Sequence, residues 1–300
     1  MLRRFAKLAD ALAIFAEKEG TLPVPQWLEI NPGCAMPEEG YVVPKTIWMY
    51  WDSPEIPELV DVCRRRVQEL CPDYRLHFLN AQTLGDYITL PEVRADLPKA
   101  NYADLVRFAL LAQYGGFWLD ASVLLLTDLD WIVSRMRGQE AFLFYSDECT
   151  QDLSRPISEN WMIAAPRHSP FMQEWLEEYS RCLASEDPKR YYSTLDNYEY
   201  HVQNLTKPEY LLPYVSAIVV LNRRRCNILY VSSASSGHYF NYKYRWNDLK
   251  IALRLLVRRR LDTDSLRLIK FNSTVRKASE WLIAKRLFRR NSEVGQHLRR

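Results

Sequence analysis

The spacing of apolar residues along the chain alternates between two periods, which predicts strands and helices in turn. Residues 45–51, KTIWMYW, form a short apolar and aromatic run with strand character. Residues 57–72, PELVDVCRRRVQELCP, carry apolar positions at helical spacing and end in proline. Residues 74–80, YRLHFLN, alternate as a second strand does. This part of the chain therefore predicts the order strand, helix, strand.

The alternation continues through the middle of the chain. Residues 102–116, YADLVRFALLAQYGG, have helical periodicity and end in glycine, a common helix C-terminus. Residues 117–126, FWLDASVLLL, are predicted as one strand that is apolar on both faces, as in a covered parallel sheet. Further strands are predicted within residues 140–148 and 160–166, and a helix over 169–184. The order predicts an α/β fold with a mostly parallel, Rossmann-like sheet flanked by helices.

Helices are also predicted at both ends of the chain, outside this α/β unit. Residues 1–40 are interpreted as an amphipathic helix and a proline-rich connection, 41–248 as the main domain, and 249–300 as a helical extension. No apolar stretch approaches the roughly 20 residues that span a bilayer. Six cysteines without a metal-binding spacing are typical of reduced thiols, and they predict a cytoplasmic location.

The formal net charge of +3 conceals a strongly basic C-terminal part. Residues 223–300 hold 20 Lys and Arg but only 5 Asp and Glu. In residues 273–290 the apolar side chains cluster on one side of a predicted helix and basic ones cover much of the rest, a pattern typical of helices in a membrane interface. The apolar set is Val275, Ala278, Trp281, Leu282, Ala284 and Phe288.

Two interpretations of this basic segment stay open. One is peripheral contact with an anionic membrane at its cytoplasmic face, where each basic residue can add roughly 1 kcal/mol. The other is a set of helices whose charged faces are solvated or packed against the acidic front of the chain. Nucleic acid is not predicted as a partner, because none of its common binding modules is present.

One carboxylate, Asp120, interrupts the apolar run of residues 117–126, where desolvation of a charge is costly. Asp104 and Arg107 lie three positions apart on the preceding helix and therefore on one face. Ligands of α/β sheets bind beyond the carboxyl ends of the strands. Arginine suits phosphate oxygens, whereas carboxylates accept hydrogen bonds from hydroxyls or bind hard cations. The set predicts a ligand with phosphates and hydroxyls. Taken singly, Asp120 could be a buried structural aspartate, and Asp104 with Arg107 a surface ion pair.

Three segments in this order resemble the DXD-type sugar transferases: VPKTIWMYW, CPDYRLHFLN and ADLVRFALLAQYGGFWLDAS. The most similar group is the bacterial capsular polysaccharide synthesis proteins, with α-mannosyltransferases and toxin glucosyltransferases more distant. The resemblance spans about residues 43–126, with weaker likeness at 158–171 and 235–246. It implies a GT-A nucleotide-sugar-binding catalytic domain over residues 41–248 and retaining transfer, usually from a UDP-sugar.

The resemblance also implies roles for individual residues. Trp51 would stack on the base of the donor. Asp104 would hold a hydroxyl of the donor sugar, and Arg107 the sugar or the diphosphate. Asp120 would be the first carboxylate of the DXD motif, and with Arg107 it is the predicted catalytic pair. Asn160 would face the donor or the acceptor, with a structural amide as the alternative.

The predicted metal site departs from the family pattern at Ser122, which stands where a second aspartate is frequent. A hydroxyl holds a divalent cation less firmly than a carboxylate does. His238 resembles the late histidine that completes such a site, although it could be an ordinary loop residue. Mn²⁺ or Mg²⁺ bridging the phosphates would stabilise the leaving group, with Asp120, Ser122 and His238 as ligands. Trp246 would close over the donor.

The prediction is a metal-dependent hexosyltransferase that extends a capsular or other surface polysaccharide or a lipid-linked glycan. Asp147, with Glu148 beside it, follows a strand and could contact an acceptor hydroxyl or belong to a solvated loop. The alternatives are a non-catalytic sugar-nucleotide or glycan-binding subunit of an assembly complex, favoured by Ser122, and a peripheral scaffold that acts through the basic tail.

Overall fold

The computed structural model describes residues 8–18, 20–37, 41–94, 96–261 and 265–299. The predicted N-terminal helix therefore lies partly outside the described residues. Residues 8–12 are helical and are labelled α1, and a 3₁₀ turn follows at Ala13–Phe15. Ile14 in this turn is buried among residues of the C-terminal helices.

Within the described residues, the strands form one sheet of seven strands and one of two. The seven-stranded order is β1-β8-β6-β7-β4-β2-β3, and β5 pairs with β9 in the small sheet. In the large sheet β2 runs parallel to β3 and β4, and β6 parallel to β8, while the other three pairs are antiparallel. The strands are β1 Trp27–Ile30, β2 Thr46–Tyr50, β3 Arg75–Leu79, β4 Gly116–Leu119, β5 Val123–Leu125, β6 Ala141–Tyr145, β7 Ser158–Ala165, β8 Ile228–Ser232 and β9 Leu268–Lys270.

Helices cover both faces of the large sheet, which confirms the predicted α/β class. Successive residues of β2 point to opposite faces: Trp48 packs into the apolar cluster with α3, α5 and α7, and Ile47 and Met49 into the one shared with α2 and β5. The remaining helices, named from the chain order, are α2 Glu58–Leu70, α3 Lys99–Tyr114, α4 Asp130–Val133, α5 Pro170–Ala184, α6 Tyr198–Val202, α7 Leu212–Arg223, α8 Tyr239–Lys243, α9 Asp248–Leu256 and α10 Ser273–Ala284.

Two glycines make the tight connection from α3 to β4. Gly115 and Gly116 have φ of 65° and 91°, values that residues with a side chain rarely adopt. A Cβ at Gly116 would lie 2.6 Å from the backbone oxygen of Thr46 on the neighbouring strand. The glycine pair therefore fixes how α3 and β4 lie against β2, and so where the side chains of α3 stand relative to the end of β4.

The prediction of one strand over residues 117–126 is wrong. The chain leaves the large sheet after Leu119, turns through Asp120–Ser122 and enters the small sheet as β5. The turn is held by the amide of Asp120, which donates to the carbonyl of Trp161 (2.8 Å), and by the carbonyl of Asp120, which accepts from the amide of Val123 (3.0 Å). Both strands are fully buried, so the apolar pattern contains no sign of the break.

The apolar face of α10 packs inside the protein. Val275 and Leu282 are buried in one cluster with Ile251 of α9 and Leu59 of α2. The helix ends at Ala284, so Phe288 lies beyond it, and Trp281 points outwards with 54% of its surface exposed. Packing between helices thus accounts for the amphipathic pattern that predicted a membrane-interface helix. Among the described residues, no helix has the length and apolar content needed to cross a bilayer.

Candidate functional site

A cavity of about 650 Å³ opens where the parallel strands β2 and β4 end. The carboxyl ends of neighbouring parallel strands meet at one edge of the sheet, so Trp51 and Asp120 come to the same cleft. Other walls come from α3, from residues 210–214 and from the start of α10. The lining residues with a bearing on chemistry are Trp51, Asp104, Arg107, Asp120, Ser122, Asn160, Lys270 and Arg276.

Arg107 joins the two predicted carboxylates. Its Nη1 donates to Oδ1 of Asp104, and its Nη2 donates to Oδ1 of Asp120 over 2.7 Å. Arg107 is 5% exposed, and its guanidinium lies over the ring of Trp118, 5.1 Å from the ring centre. Asn160 donates to Oδ1 of Asp104 over 3.0 Å. The structure therefore brings Asp104, Arg107, Asp120 and Asn160 together, as their assigned roles require.

Asp120 is held by side chains of the cleft, and both of its carboxylate oxygens are engaged. Oδ1 accepts from Nε1 of Trp118 over 3.0 Å as well as from Arg107. Oδ2 accepts from Nζ of Lys270 over 2.7 Å. Burial alone would raise the pKa of Asp120, but the positive charges of Lys270 and Arg107 outweigh it and hold the pKa below its ordinary value. Asp120 is therefore ionised in the neutral range.

The pKa of Asp104 is shifted in the opposite direction from that of Asp120, although both carboxylates contact the guanidinium of Arg107. Burial raises the pKa of Asp104 to about 6, against the opposing effect of Arg107. The negative charge of Asp120 adds to the rise. The two carboxylates of the site thus have pKa values displaced in opposite directions, which is common at functional sites.

Lys270 is one of the basic residues of this site that the sequence patterns did not find. It follows Asp120 by 150 residues in the chain. The register of β5 and β9 pairs Val123 with Lys270, and this places the lysine beside the turn that carries Asp120. Its side chain is almost fully buried, and Nζ also lies 3.0 Å from Oγ of Ser122. The only sign of Lys270 in the sequence is a lysine within an apolar segment. No residue close to it in the sequence indicates the carboxylate that it pairs with.

The donor set does not fit a divalent cation. Ser122 donates its hydroxyl to the carbonyl of Phe271 over 2.8 Å, and Lys270 lies against both Ser122 and the free side of Asp120. A metal ion bound by Asp120 and Ser122 would have to share their oxygens with an ammonium group. In the described part of the chain no three His, Cys, Asp or Glu side chains are grouped as a metal site. The predicted Mn²⁺ or Mg²⁺ site therefore disagrees with the arrangement of these side chains.

His238, the third predicted metal ligand, does not line the cavity. It is buried beside Trp161, and its Nε2 lies 4.0 Å from Oε2 of Glu159. Burial lowers the pKa of His238 to about 3, so the ring is neutral. Glu159 accepts from Ser233 and Trp161, while burial raises its pKa to about 7.

Trp246 and Asp147 also stand apart from the cavity lining. Trp246 is 38% exposed and donates from Nε1 to Glu148 over 2.9 Å. Asp147 accepts from the hydroxyl of Ser232 over 2.6 Å and from the amide of Ala234 over 2.8 Å. These contacts give Asp147 a structural role in its turn, and the structure does not bring either residue to Asp120.

Trp51 stands at the mouth of the cavity and is half-buried. Its Nε1 donates to the carbonyl of Glu55 over 3.1 Å, and the guanidinium of Arg276 lies 4.9 Å from its ring centre. Arg276 comes from the first turns of α10 and is a second basic residue that the sequence patterns did not assign to the site. The guanidinium of Arg276 therefore covers one face of the Trp51 ring.

The sequence profile of the capsular polysaccharide synthesis protein family matches residues 36–230, about two thirds of the chain. The chain belongs to this family, as its ordered motifs indicated. A comparison with curated protein sequences finds no match.

Several solved structures of glycosyltransferases are similar to this one over most of its length. The galactosyltransferase LgtC, in complex with donor and acceptor sugar analogues, is 10% identical, with 85% of this chain and 96% of that one covered and a TM-score of 0.42. A glycosyltransferase involved in glycosylation of the major capsid of PBCV-1 is 11% identical, with coverages of 79% and 98% and a TM-score of 0.42. The PaToxG glycosyltransferase is 11% identical, with coverages of 73% and 80% and a TM-score of 0.36. All three scores lie below 0.5, so these likenesses carry no functional weight.

Proposed function

We propose that this protein is a glycosyltransferase of GT-A type that moves a sugar from a nucleotide-sugar donor to a growing capsular or other surface glycan. Membership of the capsular polysaccharide synthesis family supports the acceptor class. The observation that carries the proposal is one cleft that combines an aromatic platform, Trp51, with the carboxylates of Asp104 and Asp120 and with cationic side chains. The cations are Lys99, Arg107, Lys270 and Arg276. A UDP-hexose donor and retention of configuration follow from the family resemblance alone.

The groups of the cleft suit the parts of such a donor. The ring of Trp51 offers a face for the base, where stacking contributes about 1–3 kcal/mol. Asp104 and Asn160 can bind hydroxyls of the donor sugar, since a carboxylate accepts and an amide donates. The cationic side chains of the cleft suit the diphosphate, because charge-assisted hydrogen bonds to phosphate are stronger than neutral ones.

Sugar transfer breaks the bond between the anomeric carbon and the diphosphate oxygen, and the electron pair leaves with the diphosphate. The acceptor oxygen forms the new bond and gives its proton to the solvent or to the departing phosphate. Positioned cations that meet charge as it develops stabilise such a transition state, typically by several kcal/mol. Asp120 contributes by holding Arg107 and Lys270 in place on either side of its carboxylate.

A donor-hydrolysis screen tests the proposal. The full chain is incubated with UDP-, GDP- and CMP-sugars, with and without Mn²⁺, and free sugar and nucleotide are measured. Slow hydrolysis of one donor class, inhibited by the matching nucleoside diphosphate, is expected. If no donor is hydrolysed and calorimetry detects no nucleoside diphosphate binding, the proposal is wrong.

A non-catalytic donor-binding subunit is the second candidate function. Ser122 in place of a carboxylate and the full pairing of Asp120 favour it. The same screen separates the two, because a binding subunit would take up a nucleoside diphosphate but leave every donor sugar intact.

A cytoplasmic location and contact with an anionic membrane remain predictions. Trp281 and Leu287 in the basic segment are about half exposed, at 54% and 49%. Flotation with anionic liposomes tests membrane contact directly. Protein that stays at the bottom of the gradient at low salt would contradict it.

A further inference from the structure

We infer that the cleft works without a bound divalent cation, and that the ammonium group of Lys270 supplies the positive charge beside the donor's diphosphate. The inference rests on the proposed function, whose donor carries that diphosphate. It deepens this function by assigning the cation to a residue of the chain, and the residue lies outside the part that the family profile matches, 36–230.

The position of the ammonium is the first observation. Nζ of Lys270 lies 2.7 Å from Oδ2 of Asp120 and 3.0 Å from Oγ of Ser122. These are the two side chains of the turn after β4 that a bound cation would use as ligands. A divalent ion binds such oxygens at about 2.0–2.6 Å, so it would have to occupy nearly the same space as the ammonium. Two positive charges at that separation repel each other strongly.

The lysine is also fixed in this place by the backbone. β9 pairs with β5 so that Lys270 stands opposite Val123, and the amide of Lys270 donates to the carbonyl of Gly237 over 2.8 Å. The residue is 8% exposed, which leaves the side chain little room to swing aside for an ion. The ammonium is therefore a built-in part of the cleft.

Lys270 has one N–H donor left for a ligand in the cavity. An ammonium group has three N–H donors, and the contacts with Asp120 and Ser122 use two of them. Lys270 lines the cavity together with Arg107 and Arg276. Arg107 and Arg276 also keep N–H donors, because a guanidinium has five. Lys270 differs from them in its place, since its ammonium group lies against both Asp120 and Ser122.

In this arrangement, the chemistry of the transfer is unchanged and only the source of positive charge differs. The bond from the anomeric carbon to the diphosphate oxygen breaks, and the oxygen keeps the electron pair. The ammonium group stabilises the new charge through a hydrogen bond and remains protonated throughout. No metal ion is needed to stabilise the charge on the leaving diphosphate.

The test uses the full chain and compares Lys270→Met with the exposed Lys277→Ala on α10 as the matched control. Methionine keeps the length of the buried stem but removes the charge. UDP binding is measured by calorimetry in EDTA, and donor hydrolysis is measured in EDTA and in Mn²⁺. Binding of Mn²⁺ itself is followed by the electron paramagnetic resonance signal of the free ion. Circular dichroism and thermal melting confirm that each variant is folded.

We expect the wild type to bind UDP equally well, within about twofold, in EDTA and in Mn²⁺, and to show no Mn²⁺ site tighter than about 1 mM. Lys270→Met should weaken UDP binding about tenfold or more and slow hydrolysis about 100-fold. Lys270→Arg should recover part of the binding, because it restores the charge. Lys277→Ala should match the wild type in every assay.

Two results would overturn the inference. One is loss of UDP binding or turnover in EDTA that Mn²⁺ restores, and the other is UDP binding by Lys270→Met that equals the wild type. The failure of the proposed function looks different. In that case no donor sugar is turned over in any condition, whereas the Mn²⁺ titration still reports whether the lysine or a metal fills the position.

Discussion

At the scale of single residues, the site depends on how charges are shared around Arg107. Its guanidinium contacts both Asp104 and Asp120, yet burial raises the pKa of the first carboxyl while Lys270 and Arg107 lower that of the second. Of the two carboxylates that contact Arg107, Asp104 can therefore take up a proton near pH 6, whereas Asp120 stays ionised.

Replacing Asp120 by asparagine should remove most turnover. The substitution takes away the charge between Arg107 and Lys270 and leaves the two cations facing each other across a neutral amide. We expect the rate of donor hydrolysis to fall about 100-fold or more. Hydrolysis of the screened donor is the measurement, and Asp73→Asn, at an exposed turn, is the control. Turnover within a few-fold of the wild type would contradict the role of Asp120.

Activity should decrease as the pH falls through about 6. The pKa of Asp104 is raised from 3.8 to about 6, so this carboxylate becomes protonated in the folded protein below that pH. It then loses its attraction for Arg107 and its ability to accept from a sugar hydroxyl. The effect on folding stability runs the other way from the effect on activity. The raised pKa of Asp104 adds to the free energy of unfolding, fully so below pH 3.8, and this contribution is lost as the pH rises through about 6.

The pH profile of kcat/KM for donor hydrolysis tests this assignment. Asp104→Asn should lower the rate and remove the acidic limb of the profile. Glu159→Gln is the comparison, because burial raises the pKa of Glu159 to about 7 although the residue does not line the cavity. A limb that persists in Asp104→Asn and disappears in Glu159→Gln would reassign the titration to Glu159.

Most of the site's residues could be predicted from local spacing or the family resemblance, but Lys270 and Arg276 could not. Asp104 and Arg107 share a helix face, and Asp120 follows at the end of the next strand, so short-range periodicity brings them together. Lys270 reaches the same place through a strand pairing 150 residues away, which no local period encodes. The metal ligands were predicted from the family resemblance. That resemblance gave no indication that Lys270 contacts Asp120 and Ser122.

At the scale of secondary structure, the periods predicted five strands of the large sheet, β2, β3, β4, β6 and β7, and the helices α2, α3 and α5. They missed β8 and α7, and the segment that holds β1 was wrongly predicted as an irregular connection. They failed at the end of β4, because β4 and β5 are both buried on all sides and therefore give one continuous apolar run. A carboxylate within such a run was the only local sign of a turn. The amphipathic pattern of α10 was real, but its apolar face meets α2 and α9.

The connection between α3 and β4 should tolerate no side chain at Gly116. A Cβ there would lie 2.6 Å from the carbonyl oxygen of Thr46, and φ is 91°. We expect Gly116→Ala to lower the free energy of unfolding by about 2–4 kcal/mol. Urea unfolding is the measurement. Gly85→Ala is the control, because a Cβ at Gly85 meets nothing within 4 Å. Equal stability of the two variants would mean that the backbone can adjust at Gly116.

At the scale of the whole molecule, residues from the predicted C-terminal extension enter both the core and the cleft. Ile269 and Val275 are buried with Leu59 and Leu124 in a single cluster, and Lys270 and Arg276 line the cavity. The division into residues 1–40, 41–248 and 249–300 remains a prediction. We propose instead that residues 249–300 belong to the same folding unit as the site.

Removal of residues 249–300 should abolish the folded state. The truncation leaves β5 without its partner strand and exposes Leu124, which is fully buried in the full chain. We expect aggregates in size-exclusion chromatography and loss of near-ultraviolet circular dichroism, with the full chain as the control. A monomeric 1–248 fragment that binds UDP as the full chain does would show that the extension is a separate module.

The pairing of β5 with β9 has a consequence for the protein as it is being made. The ribosome must add 150 residues after Asp120 before Lys270 exists, which takes roughly 8–30 s at bacterial and eukaryotic rates of translation. During that time β5 has no partner strand, and the chain without residues 249–300 is not expected to fold. The cleft therefore forms only once nearly the whole chain has been made, because Lys270 enters it through β9.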